Sequence, residues 1–458
     1  MTLSVVILAA GKGKRMRSGL PKVLHTLAGV TLLERVVRTA SSLDPETIYV
    51  VYGNGGQLVR SEMAHLDVQW VEQPEALGTG HAVRQVLPHL NQDHQVLVLY
   101  GDVPLISKET LKQLLDNTPK NALGLVVAEL EDPQGFGRII RNEMGNIVAI
   151  VEQKDTNPEQ QKITEINTGI LTTSARHLKE WLPRLTSHNS QKEYYLTDII
   201  AMAVADGYSV GGILARRPEE VRGINNLSEL ASLERIYQRQ KAYELMMEGV
   251  TIVDPERFDV RGEAIVAMDV CIDINVILEG KVSIGANSVI GPNTVLRNVE
   301  IGENVKIEAN CVIENSSIAD FCTIGPFARI RPGNRIDQHA RIGNFVEMKN
   351  SQLGEGSKVP HLSYIGDAVI GKNVNMGAGT ITVNYDGISK HQTIIEDQAF
   401  VGCDSQLIAP VKIGEGAYIA AGSTITTNAP AHQLTVARAK QRTVEGWKPK
   451  AKKTVESS

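Results

Sequence analysis

The chain has 458 residues, with 47 Lys+Arg against 52 Asp+Glu and a formal net charge of −5. That length suggests about three domain-sized units and needs neither disulfides nor metals for stability. A composition of 42% hydrophobic and 22% charged residues excludes disorder as the main state, and the acidic balance argues against nucleic acid as a partner. The four cysteines (Cys271, Cys311, Cys322, Cys403) form no CxxC pair, so reduced thiols in a cytoplasmic protein are expected rather than a zinc knuckle or a disulfide framework. No apolar run approaches the ~20 residues of a membrane span. The first apolar run, residues 5–8, precedes Lys12, Lys14 and Arg15, the reverse of a signal peptide.

Up to about residue 225, short β-rich runs alternate with helical patterns. Residues 5–10, 48–52, 96–100 and 123–130 read as strands, and 32–41 and 81–90 carry helical spacing. This alternation predicts a mostly parallel sheet with crossover helices, whose ligands bind beyond the carboxyl ends of its strands. The first strand runs into Gly11-Lys12-Gly13-Lys14-Arg15-Met16, with Pro21-Lys22 shortly after. Glycines let a backbone approach phosphates, whose charge is met by N–H groups and cations. The loop is neither GxGxxG nor Walker A, and a plain tight turn is the alternative. The strand at 96–100 ends in Gly101-Asp102-Val103-Pro104, a carboxylate on the same rim that suits Mg²⁺ beside phosphates or, more blandly, caps a turn.

Residues 227–248 read as one helix of roughly 33 Å, with Leu230, Leu233, Ile236 and Leu245 at helical spacing. Asn226 or Ser228 suits its start and Gly249 its end; it is either an arm between two bodies or a packed core helix. Aliphatic residues then recur every sixth position: Ile272 to Ile290, Ile301 to Ile313, Ile318 to Met348, Ile370 with Met376, and Ile395 to Ile425. Glycine often follows, and a small or β-branched residue such as Ser288, Thr294, Ala328, Thr380 or Ser423 often sits four positions on. A six-residue period predicts a β-helix of hexapeptide repeats with the aliphatic residues stacked inward.

The hexads break between Met348 and Ile370 and again between Ile381 and Ile395, in stretches rich in His, Tyr, Asn and Lys. Departures from a regular scaffold carry function, and His361 suits a general base near neutral pH, although a lone loop histidine is ordinarily solvent-exposed filler. The tail beyond Trp447 holds Lys448, Lys450, Lys452 and Lys453 and reads as a solvated end.

Motifs LAAGKGKRM (8–16), LPK (20–22), LGTGHA (77–82), YGDVPL (100–105), GFGRI (135–139), VEQKD (151–155), EINTGI (165–170), EYYLTDI (193–199) and GINN (223–226) occur in that order. Together they resemble sugar-1-phosphate nucleotidyltransferases. The match is to the N-terminal domain of the bacterial bifunctional N-acetylglucosamine-1-phosphate uridyltransferase and glucosamine-1-phosphate acetyltransferase family. RIRPG (329–333), GNFVEMK (343–349), HLSYIGD (361–367), NMGAGTI (375–381), NYDG (384–387) and FVGCDSQL (400–407) resemble its acetyltransferase domain. The resemblance implies an α/β Rossmann-like nucleotidyltransferase domain (1–226), a long connecting helix (227–249) and a left-handed parallel β-helix (250–458). It also implies a cytoplasmic homotrimer with small-molecule substrates and neither nucleic-acid nor membrane partners.

By that resemblance Leu8, Ala9, Ala10, Gly11, Gln73, Gly78, Thr79, Tyr100 and Gly101 would hold the nucleotide of UTP, and Arg15 and Lys22 its triphosphate. Gly137, Glu152 and Asn167 would hold N-acetylglucosamine, while Asp102 and Asn225 would ligate Mg²⁺. In the second half His361 would be the base. Arg331, Lys349, Tyr364, Asn375 and Lys390 would hold glucosamine-1-phosphate, and Ala378, Asn384, Tyr385, Cys403, Ala421 and Arg438 would hold acetyl-CoA. Lys14 stands where the family usually has Thr, Cys403 where Ser is common, and Val359-Pro360 where smaller residues precede the base, stiffening its loop. His25 and His81 are expected to be structural. Two other readings are a uridyltransferase whose β-helix only assembles a trimer, and a non-catalytic sugar-nucleotide sensor.

Overall fold

The structure, a computed structural model, describes residues 2–11, 13–53 and 56–450; Lys12, Lys452 and Lys453 lie outside the described residues. The chain forms two compact units, Met1–Lys241 and Ala242–Ser458.

The first unit is built on one twisted sheet. Its strands are β1 (Leu3–Leu8), β2 (Thr47–Gly53), β3 (Gln69–Gln73), β4 (Gln95–Tyr100), β5 (Ala122–Glu129), β6 (Glu165–Ser174) and β7 (Ser209–Leu214), in the spatial order β7-β5-β6-β4-β1-β2-β3. All neighbours pair in parallel except β6, which runs antiparallel to both β4 and β5. The central strands are apolar on both faces because helices cover both sides; Val5, Val6 and Ile7 are fully buried. The helices Leu32–Ser41 and Thr79–Val86 lie where helical spacing placed them, the second continuing as a 3-10 turn over Leu87–His89. β1 ends at Leu8, two residues before the expected limit. Ala9 and Ala10 thereby leave the strand at the carboxyl edge, where the phosphate loop begins.

A helix over Leu227–Met247 runs through the division between the units. Its start is capped by Asn226 rather than Ser228: the Asn226 Oδ1 accepts the Glu229 N–H at 2.9 Å, and Glu229 reaches back to the Asn226 side chain at 2.6 Å. This is the reciprocal logic of a capping box. Leu233 packs with Met16, Leu27 and Leu32 in the first unit, whereas Ala242 and Leu245 join the core of the second. The helix therefore connects the two units, as expected, with each end packed into the core of its own unit.

The second unit is a parallel β-helix with hexapeptide repeats, consistent with the left-handed form. Its coils stack three ribbons of short parallel strands, for example Arg341–Asn344 on Lys358–His361, Glu347–Lys349 on Tyr364–Gly366, and Gln352–Leu353 on Ala368–Ile370. Equivalent residues step by 18 or 17 positions per coil, as from Ile330 to Met348 and from Met348 to Ile365. The shorter coils drop one residue at a corner, which accounts for the slips of the six-residue register before the insertion at 384–391. The aliphatic column is buried throughout, and Ser288, Thr294, Ala328, Thr380 and Ser423 are buried beside it. Corners take left-handed backbone, tolerated by Asn. Asn275, Asn293 and Asn310 stack there, their amides bonded coil to coil at 2.9 and 3.2 Å.

Two expectations about the repeat are corrected. No break occurs between Met348 and Ile370, because Leu353, Val359 and Ile365 fill the column and are fully buried. Val359-Pro360 consequently belongs to the strand Lys358–His361, not to a loop. Gly343 is required beneath it, since a Cβ there would meet the Pro360 carbonyl oxygen at 1.8 Å. Near the second break Ile381 points outward, and Thr382 takes the inward position, its hydroxyl accepting the Gly366 N–H at 2.7 Å. The one long step, 25 residues from Ile381 to Gln406, carries the insertion at 384–391.

Candidate active sites

At the carboxyl ends of β1, β3 and β4 a cavity of about 530 Å³ is lined by Leu8, Ala9, Ala10, Gly11, Lys22, Gln73, Gly78, Thr79, Tyr100 and Asp102, as the motifs imply. Lys14 and Glu193 line it too. Gln73 is buried, and its Nε2 lies 3.1 Å from both the Gly78 carbonyl oxygen and His81 Nδ1. The other His81 ring nitrogen, Nε2, lies 3.1 Å from the Gln85 amide. Gly78 has φ +108°, and a Cβ there would meet the Tyr194 carbonyl at 2.6 Å; only glycine lets this turn close over the cavity.

Cations and oxygen donors converge at the rim. Lys22 forms an ion pair with Asp102 and lies 3.5 Å from Asn225 Oδ1, which accepts from Arg15 at 2.8 Å. Asn225 is held in turn by its backbone N–H, which donates to Glu229 at 2.7 Å, so the start of the connecting helix sets the rim. Among the residues expected to hold the sugar, Glu152 accepts from Thr197 at 3.0 Å, and a Cβ on Gly137 would lie 3.4 Å from the Glu152 Oε2. Asn167, also buried, bonds the Gly169 N–H at 3.1 Å. Burial raises the Glu152 pKa, with Asp198 and Asp155 adding to it against the Thr197 hydrogen bond. Burial likewise pushes Tyr100 well up, reinforced by Glu152 and Asp102, so its phenol stays protonated. Gly101 is buried under Ala9 and Leu33. His25 carries a buried Nε2 without a hydrogen-bond partner among the described residues.

In the second unit His361 is exposed at the end of its strand, its Nδ1 3.1 Å from the Asn344 Oδ1 one coil earlier. An amide oxygen there makes Nδ1 the donor and leaves Nε2 with its lone pair outward. Past the Leu362 corner, Tyr364 stacks on Glu347, and Glu347 pairs with Arg331 at 2.9 Å. The neighbouring Lys349 ammonium holds the Lys390 pKa below the ordinary lysine value. Burial alone would raise Asp367, but hydrogen bonds from Asn350 and Asn384 and the charges of Lys349 and Lys390 outweigh it and hold the carboxyl below its usual range. Asn375 lies on the next coil, paired with Lys358.

Four of the six acetyl-CoA candidates, Ala378, Cys403, Ala421 and Arg438, follow one another coil to coil. Gly377 and Gly402 bring the coils so close that a Cβ at either would lie 2.5 Å from the backbone nitrogen of Cys403 or Ala421. Ala378, exposed Cys403 and Ala421 follow these close approaches in successive coils, and Arg438 Nη1 donates to the Ala421 carbonyl at 2.5 Å. Asn384 donates to Asp367, and Tyr385 is exposed at the base of the insertion. All four cysteines are free thiols. Sequence reading missed Asn344, Asp367 and Glu347; the coil spacing of 17 would have pointed to Asn344 once the register was known.

Comparison with known proteins agrees with both halves. Residues 5–166 match the MobA-like NTP transferase domain, residues 281–315 a hexapeptide repeat of succinyl-transferase, and residues 392–427 the bacterial transferase hexapeptide. The bifunctional protein GlmU of Coxiella burnetii (strain RSA 493 / Nine Mile phase I) is 59% identical over 454 residues, covering 99% of this chain and 100% of that one. Those of Methylococcus capsulatus and of Legionella pneumophila (strain Lens) are each 52% identical over 458 residues; the shares covered are 100% of this chain and 99% of the former, and 99% of each chain for the latter. The chain belongs to the bifunctional GlmU family. As a GlmU it is a transferase with two activities, uridyl transfer and acetyl transfer, so the β-helix is more than a post and the sensor reading falls. No helix among the described residues is long and apolar enough to cross a membrane.

Proposed function

We propose that this chain makes UDP-N-acetylglucosamine, a precursor of the kind consumed in cell-wall synthesis, in two steps at two sites. The first transfers acetyl from acetyl-CoA to glucosamine-1-phosphate on the β-helix. The second transfers uridylyl from UTP to N-acetylglucosamine-1-phosphate in the first unit and releases pyrophosphate. The observations that carry the reading are the convergence of Arg15, Lys22, Asp102 and Asn225 at the rim of the first unit's cavity and the hold of Asn344 on the exposed His361 of the β-helix.

In acetyl transfer His361 Nε2 takes the proton from the amine as it attacks the thioester carbonyl. The C–S bond breaks, and the imidazolium returns the proton to the departing thiolate. Arg331, Lys349 and Lys390 hold the sugar phosphate, with Tyr364 and Asn375 placing the ring. Ala378, Asn384, Tyr385, Cys403, Ala421 and Arg438 carry the cofactor, Arg438 meeting its phosphates and the Ala378 N–H serving the developing oxyanion. His361, Lys390, Cys403, Ala421 and Arg438 are all exposed, so one chain supplies one wall of the site. A homotrimer, working in the cytosol, supplies the other.

In uridylyl transfer the sugar-phosphate oxygen attacks the α-phosphorus as the bond to the β-phosphate breaks, which requires alignment rather than a side-chain nucleophile. Gln73 meets the uracil edge, Thr79 and the Gly11 loop hold the nucleotide, and Glu152, Asn167 and Gly137 place the sugar. Arg15 and Lys22 neutralise the phosphates. Asp102 and Asn225 fit a divalent cation: two hard oxygens already converge on the Lys22 ammonium, and Mg²⁺ takes few protein ligands, leaving the rest to phosphate and water. When bound, Mg²⁺ supplies charge neutralisation for the departing pyrophosphate.

The test is release of CoA thiol from acetyl-CoA and glucosamine-1-phosphate, with His361→Ala alongside. Release that depends on the sugar phosphate and collapses in the variant supports the second site and its base together. No release from protein that still turns over UTP refutes it.

A further inference from the structure

The insertion at 384–391 is a short hairpin standing off the coil. The His391 N–H donates to the Asn384 carbonyl at 2.8 Å, Tyr385 bridges Lys390 in antiparallel fashion, and the Asp386 N–H donates to the Ser389 carbonyl at 3.2 Å. Residues 385–390 are exposed, and the tip residue Ile388 is 91% exposed. A two-stranded hairpin without an apolar face is marginal in water, so its shape rests on polar contacts. Asp386 provides most of them. One carboxylate oxygen accepts the N–H groups of Ile388 and Ser389 at 2.8 and 2.7 Å, and the other meets His391 Nε2 at 2.7 Å. The Tyr385 hydroxyl closes the turn on the Gly387 carbonyl at 2.6 Å.

Lys390 sits next to His391 on the returning strand, while Arg331, Lys349 and Tyr364 stand on or beside coil strands. A lysine on a rigid coil keeps its place, but one on a marginal hairpin swings into solvent unless the hairpin itself is held. We infer that the Asp386–His391 pair is a positioning device that holds Lys390, its neighbour on the returning strand, in place as a phosphate-binding cation of the acetyl-transfer site. The inference rests on the proposed role of Lys390. The pair itself touches no reacting atom.

The experiment uses the full-length protein and measures KM for glucosamine-1-phosphate and kcat of acetyl transfer in Asp386→Ala, His391→Phe, His391→Gln and Lys390→Ala. The urea midpoint for loss of acetyl transfer in the same preparations reports folding of the β-helix. Loss of a charge-assisted contact that orders a binding group corresponds to roughly a tenfold loss of affinity. Asp386→Ala and His391→Phe are therefore expected to raise KM about tenfold with kcat within about twofold, and His391→Gln, which keeps a donor, to restore most of the loss. If Lys390→Ala raises KM while Asp386→Ala and His391→Phe leave it unchanged, or lower only kcat, the positioning role is overturned and the phosphate site stands. If Lys390→Ala leaves KM unchanged, the phosphate-site reading is overturned and this inference falls with it.

Discussion

In the first unit Gln73, Thr79, Tyr100 and Asp102 come from separate strand ends and close around a cavity of about 530 Å³. In the second, Arg331, Lys349, Tyr364 and His361 stand on the outer surface of coils whose interior is filled by Ile330, Met348, Ile365 and their neighbours. A doubly covered sheet leaves a crevice beyond its strands, so a concave site comes with the fold. A β-helix packs its interior solid, and chemistry on it has only the outside. The proposed consequence is that the nucleotide site is complete in one chain, whereas the acetyl site borrows a wall from another copy.

The sharpest way to break that comparison is to silence one site and read the other. His361→Ala is expected to lower acetyl transfer by about 10²–10⁴-fold and leave uridyl transfer intact, while Asp102→Asn does the reverse, as paired thiol-release and pyrophosphate-release assays would show. Loss of both activities from either variant would mean the sites are coupled. A second prediction concerns the solid interior. Ile342→Ala, on the column, should cost about 2–5 kcal/mol, and because each coil contacts only its neighbours, urea should abolish acetyl transfer in this variant before uridyl transfer.

Smaller effects sharpen the contrast between an enclosed and an open anion site. Lys14 lines the nucleotide cavity and has no ion-pair partner among the described residues. Lys14→Thr should raise KM for UTP by roughly three- to tenfold at low salt and less at high salt, since an exposed cation is screened. The acetyl site offers a pH test. Lys349 holds the Lys390 pKa down, and a lysine loses its charge as pH rises. KM for glucosamine-1-phosphate should therefore climb on the alkaline side at a pH below the ordinary lysine range of about 10.4. Lys349→Met removes the neighbouring charge, so it should move that limb to higher pH while raising KM throughout.

Much of the fold was legible in the residues. The strands β1, β2, β4 and β5 announced themselves as short apolar runs, and helix 32–41 by its spacing. The antiparallel β6 was not visible, because strand direction is set by the connection and not by the run. In the β-helix the six-residue period was plain wherever coils had 18 residues. It was misread where the column passed through Leu353, Val359 and Ile365, since a corner shortened by one residue shifts the phase. Thr382 escaped because a buried hydroxyl satisfied by Gly366 looks polar in the chain and apolar in its packing.

What the sequence by itself determined is local: the residue types in the glycine-rich loop, the carboxylate after β4, the period of the repeat and the identity of His361 as a candidate base. These depend on side-chain chemistry and on spacing within a few positions. Only the tertiary structure decided that Asn344 meets His361, that Asp367 ties Asn350 to Asn384, that Glu229 holds Asn225 at the rim and that Lys390 comes under the charge of Lys349. Most of these contacts join residues a coil or more apart. The length of each corner and the shape of one hairpin bring them together, and a hydrophobic period leaves both of those open.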